Sequence, residues 1–152
     1  MRTVSFDQLL TFNNESLGKS DWVLVDQARI DAFADCTEDK YFIHVDPEKA
    51  AKTPLGVTIA HGLLTLSLVP KMLYQLDLKV KGVAMGFNYG YDNVRFLAPV
   101  KVDSRVRADI TIANTKHKGG KKYLLTHAVN VEIEGEEKPA LCCNWLTMLV
   151  AE

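Results

Sequence analysis

Gly62-Leu63-Leu64-Thr65-Leu66-Ser67-Leu68-Val69 is the stretch on which the architecture turns. The segment around it, from Ala60 to about Tyr74, carries apolar side chains on nearly every face and not on one stripe. A globular protein can use such a segment only as a helix surrounded by other structure. Thr65 and Ser67 interrupt it, and it is too short to span a bilayer. Pro70 inside a helix deletes a backbone hydrogen bond and kinks the axis, so a bend or an end is expected there.

Downstream of Gln75 the pattern changes to strands separated by turns. Arg105 to Ile112 alternates strictly, as does Val129 to Ile133, which is the pattern of an antiparallel sheet with one wet face. Lys118-Gly119-Gly120-Lys121 and Glu134-Gly135-Glu136-Glu137 read as the hairpin turns between them. Val80 to Tyr91 and Ala140 to Val150 are more apolar and are expected nearer the centre of the sheet. Helices followed by a strand meander, with one helix that must be buried, imply an α+β fold whose sheet wraps that helix.

Upstream, Asn13-Asn14-Glu15-Ser16 reads as a turn and Asp21-Trp22-Val23-Leu24-Val25 as a short strand. Asp26 is a plausible N-cap for a helix whose apolar face is Ile30, Phe33 and Ala34. Polar loop residues take over from Thr37. Asp46-Pro47-Glu48 starts another helix, because an Asx cap, a proline at the first helical position and an acid in the first turn agree in polarity. Thr53-Pro54-Leu55-Gly56 ends it.

The chain has 152 residues, 47% apolar and 24% charged, ordinary values for one domain over residues 1–152. With 18 Lys and Arg against 19 Asp and Glu, the charge of -1 provides no field for nucleic acid or an acidic membrane. Cys36, Cys142 and Cys143 are odd in number and two are adjacent, so no disulfide framework or CxxC metal pair can be drawn. The N-terminal residues meet Asp7 before any apolar signal region forms. These features read as a cytoplasmic protein.

Chemistry concentrates in two places. Asp39-Lys40-Tyr41-Phe42-Ile43-His44 puts a carboxylate and an imidazole five positions apart on a loop between two short helices. An Asp and a His converging on one water can share acid and base duties; alternatively Asp39 caps a turn and His44 packs under the next helix. Ile59-Ala60-His61-Gly62-Leu63 sits where the buried helix starts. Its Gly62 N–H could bind an oxyanion at the positive end of the helix dipole, or the glycine could serve close packing. His61 reads as a structural histidine and not as a base.

Other features carry no chemistry. Gly18-Lys19-Ser20 resembles the tail of a P-loop, but Asn13 stands where the leading glycine belongs. Gly82, Gly86 and Gly90 lack dinucleotide spacing and suit strand bulges. There is no GxSxG serine, HExxH pair or Cys/His ligand cluster. His117 and His127, in or beside a hairpin, read as solvent-facing or sheet residues.

The run Phe33 to Ala50, then Pro54-Leu55-Gly56 and Ile59-Ala60-His61-Gly62, resembles the MaoC-like dehydratases, the (R)-specific enoyl-CoA hydratases. Asn88-Tyr89-Gly90 and Val94-Arg95-Phe96-Leu97-Ala98-Pro99-Val100 are similar to the NodN-like branch. The resemblance implies a hot-dog fold and a homodimer whose sheets join edge to edge. It implies a dyad of Asp39 and His44 holding the reacting water and a Gly62 N–H donating to the thioester carbonyl. Tyr41 and Phe42 then reshape the pocket wall as substrate-binding residues, while Arg95 and the Asn88-Tyr89 pair are either pocket or dimer residues near the sheet or ordinary strand residues. No cofactor or metal is implied, since coenzyme A or acyl carrier protein belongs to the substrate. Two departures stand out: Glu38 replaces the family's usual glycine before the aspartate, and Tyr41-Phe42 replace Asn-Pro. A hot-dog thioesterase and a non-catalytic acyl-thioester binding module are the competing readings. The helix after Gly62 carries no Asp or Glu, which weighs against the commonest thioesterase form.

Overall fold

A computed structural model describes residues 2–76 and 78–152. Among them the chain forms eight strands and six short helices. The N-terminal part contributes β1 (Arg2–Val4), α1 (Phe6–Leu10), β2 (Asn13–Lys19), β3 (Val23–Val25) and α2 (Gln27–Thr37). Next come α3 (Phe42–Val45), α4 (Pro47–Ala50), α5 (Gly62–Ser67) and α6 (Val69–Leu73). Strands β4 (Leu78–Val80), β5 (Val83–Phe96), β6 (Ser104–His117), β7 (Lys122–Ile133) and β8 (Leu141–Ala151) complete the chain.

The large sheet has the order β2-β6-β7-β8-β5, with β3 also paired to β6, and all its pairings are antiparallel. Strands β6 and β7 alternate buried and wet residues, as their sequence pattern requires. The inward set meets α5 and α6 in one core that includes Ile30, Leu64, Leu68, Val69, Met72, Val106, Ile110, Val131 and Trp145. Thus the all-apolar segment is the buried helix around which the sheet wraps. Its axis is broken two residues earlier than the sequence suggests, at Leu68 between α5 and α6. Pro70 falls in the first turn of α6, where its missing N–H leaves no bond unmade.

The caps act as their residue types dictate. Asp26 Oδ1 accepts from the Arg29 N–H at 2.9 Å, and Asp46 Oδ1 accepts from the Lys49 N–H at 3.0 Å. Helix α2 runs through Thr37, so the loop begins one residue later than its polarity suggests.

Two expectations fail. Asn13-Asn14-Glu15-Ser16 is not a turn but the start of β2, registered against Ile112 and Asn114 of β6. Asn14 keeps a turn-like left-handed φ of 54°, and the pairing partner nearly 100 residues away overrides the local preference. Strand β8 is interior as expected, flanked by β5 and β7, but the apolar Val80–Tyr91 stretch leads into β5, which forms the sheet edge. Its Met85, Phe87 and Tyr89 are exposed, so their apolar character does not mark burial in this chain's own core. The register shifts at Asn88/Gly90, where a bulge was expected for that glycine.

A second core lies under α1, where Val4, Leu9 and Phe12 meet Ile112 and Leu125. The parallel pair β1–β4 and the Ser5 capping box of α1 belong to this corner, which the sequence reading left without defined elements. Nearby, His127 is buried in the sheet, its Nε2 2.9 Å from Thr147 Oγ1 and its ring against Trp145. Burial pushes its pKa down to about 4.

Candidate active site

Helix α2 ends at Glu38, a C-cap residue in left-handed conformation with φ 61° and ψ 13°. That reversal turns the chain away from the helix axis and presents Asp39 on an exposed turn. Three residues on, Tyr41 is extended and opens the single turn of α3, where His44 is the third residue. The carboxylate is therefore on a loop, as expected, whereas the imidazole is on a short helix.

His44 is held from two sides. Its Nδ1 lies 2.7 Å from the Ile59 carbonyl, which can only accept, so Nδ1 carries the proton and Nε2 the lone pair of the neutral ring. Its own carbonyl accepts from Gln27 Nε2 at 2.8 Å. Gln27 also donates to Asp31 Oδ1 and accepts from the buried Thr58 hydroxyl, which ties α2 to the segment leading into α5. That segment is fixed in turn by Ile59 N–H to Ile43 O at 3.0 Å and Ala60 N–H to Val100 O at 2.8 Å. With His44 only 9% exposed, burial lowers its pKa, with His61 adding to the effect and the Ile59 bond and Asp39 opposing it. The ring is a neutral imidazole at neutral pH.

His61 completes the inner wall. It is buried, its Nε2 donates to the Asp39 backbone carbonyl at 2.9 Å, and its ring stacks on His44 with centroids 3.8 Å apart. The Asp39 Oδ2 is 4.0 Å from the same nitrogen. Phe33, from the apolar face of α2, packs on His61 at 5.0 Å. Gly62 then opens α5, and a Cβ built there would meet the Phe96 ring at 2.7 Å. Close packing is therefore one real reason for that glycine.

These residues line a cleft of about 370 Å³. Its polar groups come from Asp39, His44, His61 and Thr65, and its apolar surface from Leu63, Phe96, Val100 and neighbours. The structure brings Asp39, His44 and Gly62 together in this cleft. It does not bring in the other four expected residues. Tyr41 is exposed and packs edge-on against Phe42 at 4.8 Å, outside the cleft lining. Asn88 and Arg95 are on the edge strand β5, where Asn88 Oδ1 accepts from Trp145 Nε1 at 3.1 Å and Arg95 donates to the Val94 carbonyl.

Ligand atoms of Asp39, His44 and His61 lie within 4.8 Å of one another. The two rings are nevertheless stacked at 23°, and His44 Nδ1 and His61 Nε2 are already committed to carbonyls.

An antiparallel sheet wrapped round a buried helix is the hot-dog architecture, and Asp39, His44 and Gly62 gather where that helix begins. The model of the MaoC-like domain matches residues 11–134, and the chain belongs to that family, the MaoC-like dehydratases. It is 49% identical over 136 residues to nodulation protein N of Rhizobium leguminosarum bv. viciae, covering 89% of this chain and 84% of that one. It is 44% identical over 152 residues to 3-hydroxyacyl-thioester dehydratase Z of Mycobacterium tuberculosis, covering 99% and 100%. Among solved structures, the (R)-hydratase from A. caviae involved in PHA biosynthesis matches with a TM-score of 0.66 at 25% identity, over 86% of this chain and 93% of that one. No described helix is long and apolar enough to cross a membrane.

Gln27, Thr58, His61 and Phe96 support the site without having been singled out as its machinery. The Gln27 contacts to His44 and Thr58 are 17 and 31 residues away, so no local pattern announces them. His61 stood beside the flagged Gly62, and its place in the apolar run Ile59-Ala60-His61-Gly62-Leu63 was the available signal.

Proposed function

We propose that this protein is an (R)-specific enoyl-CoA hydratase, a hydro-lyase that reversibly adds water syn across a trans-2-enoyl thioester to give an (R)-3-hydroxyacyl thioester. The observation that carries the reading is the neutral His44 ring, its Nδ1 committed to Ile59, beside the Asp39 carboxylate in the cleft that begins at Gly62. A lone pair at Nε2 can accept a proton from water, and an exposed carboxylate can hold the same water by its second hydrogen. The water oxygen bonds to C3 as His44 takes its proton. The π electrons move onto the thioester oxygen as an enolate, and the His44 imidazolium returns the proton to C2 on the same face. Asp39 stabilises that imidazolium while it exists.

Charge on the enolate oxygen meets the Gly62 N–H and the start of α5, and one such donor contributes about 3 kcal/mol to the transition state. The reaction needs no cofactor, because coenzyme A or acyl carrier protein is part of the substrate. We place the enzyme in the cytoplasm as a homodimer joined edge to edge.

The test is the loss of enoyl absorbance on mixing the protein with crotonyl-CoA and a longer trans-2-enoyl-CoA, with chiral analysis of the product and a free-thiol assay. We expect the (R)-alcohol, with Asp39→Asn and His44→Gln each lowering kcat by roughly 100-fold or more while folding is kept. The base works only when unprotonated, so kcat/KM falls as pH drops through the His44 pKa. Because that pKa is lowered, activity persists below the ordinary histidine midpoint of 6.5. Thiol release without hydration would mean a thioesterase, and silence in both assays a binding module.

A further inference from the structure

We propose that His61 is a positioning residue for this reaction, one side chain that holds the Asp39 loop and the His44 ring in mutual register. The inference rests on the Asp39–His44 reading above. Its basis is a double contact: Nε2 donates to the Asp39 carbonyl at 2.9 Å, and the ring face lies on His44 at 3.8 Å.

The loop needs such a tether. Glu38, Asp39, Lys40 and Tyr41 are all exposed, and the other side-chain link across this turn is the surface ion pair of Lys40 with Asp35. A pair of that kind holds little in water. His61 reaches the loop from the protein interior, anchored as the N-cap of α5 and wedged between Phe33 and His44.

The hydrogen-bond inventory also determines its tautomer. A carbonyl oxygen accepts only, so Nε2 carries the proton and Nδ1 carries the lone pair. That Nδ1 is fully enclosed with no partner among the described residues. An unpaired buried acceptor is a cost that folding alone gives no reason to keep, since a phenyl ring would fill the same space. The return is the bond to Asp39. A structure that spends its buried donor on the backbone of the acid and its ring face on the base is arranged to maintain their separation, where a displacement of 1 Å can cost about 100-fold in rate.

Two substitutions separate holding from packing. His61→Phe keeps a flat ring against His44 and loses the donor, whereas His61→Gln keeps an N–H donor at nearly the same reach and loses the ring. Crotonyl-CoA hydration should show kcat down roughly 10- to 100-fold in His61→Phe with KM changed by less than about twofold, and kcat partly restored in His61→Gln, which regains the bond to the Asp39 carbonyl but not the face against His44. Unchanged kcat in His61→Phe, or equal loss in both variants, overturns the proposal. Nitrogen-15 NMR of the wild-type imidazoles gives a readout independent of activity. His61 must be protonated at Nε2, and an Nδ1-protonated ring overturns the proposal even if His61→Phe does not fold. If the wild type hydrates no enoyl thioester, the dyad reading fails by itself. The tether is then decided by the Asp39 carbonyl carbon-13 shift, which should move in His61→Phe and stay in His61→Gln; no movement in either overturns it.

Discussion

Glu38 sits where the backbone is left-handed, at φ 61°, and its β-carbon crowds the chain in a way that a glycine would not. The family's usual glycine at this position is thus explained by conformation and not by chemistry, and the glutamate is tolerated because the rest of α2 and the Asp39 turn dictate the reversal. Glu38→Gly should stabilise the protein by about 0.5–1 kcal/mol, the relief of strain being partly offset by the freer unfolded chain. A urea titration monitored by tryptophan fluorescence would show it, and hydration activity should be retained because the Glu38 side chain does not line the cleft. At this scale the sequence was informative where a residue's role is local. Asp39, His44 and Gly62 share a stretch of 24 positions and converge as their order suggests. The tethers were hidden because Gln27, Thr58 and the His44 carbonyl meet only after folding.

Elements were legible in proportion to how far their own residues decide them. The caps at Asp26 and Asp46, the strict alternation of β6 and β7, and the two glycine hairpins follow from short-range sterics and hydrogen bonding. Strand β2 was not, because its pairing with β6 comes from the far end of the chain, and β5 was read as central because apolar content cannot distinguish a buried strand from an exposed edge strand. The helix break moved from Pro70 to Leu68 because proline is accommodated in a first turn. His127 gives an element-level prediction about β7 and β8. Its pKa is lowered from the ordinary 6.5 to about 4 by burial, so between those values the unfolded chain binds a proton that the native state does not. Stability is then full above pH 6.5 and falls as pH drops toward 4, by about 3 kcal/mol in total. Denaturation midpoints measured across that window should show the slope, and His127→Gln, which keeps a polar partner for Thr147 and cannot titrate, should flatten it.

For the whole molecule, the exposed edge β5 is the surface most in need of explanation. It offers unpaired backbone along one side and the apolar Met85, Phe87 and Tyr89 beside it, a combination that invites pairing with another strand. If that strand is the β5 of a second copy, the chain of 17.0 kDa should sediment at about twice that mass, and Phe87→Asp should return it to monomer with its far-ultraviolet circular dichroism unchanged. A wild-type monomer at micromolar concentration would leave Asn88 and Arg95 as ordinary strand residues. The sheet order has one more consequence, which concerns the time over which the chain is made. Segment 62–73 is finished before any of β6, β7 or β8 exists, and β2 waits for a partner nearly 100 residues later. The most apolar helix of the protein therefore emerges from the ribosome with nothing to cover it, and at ordinary elongation rates remains so for several seconds. Nascent chains stalled between residues 74 and 140 should accordingly be the form that chaperones bind and that aggregates, while release of the full length closes the sheet over the helix.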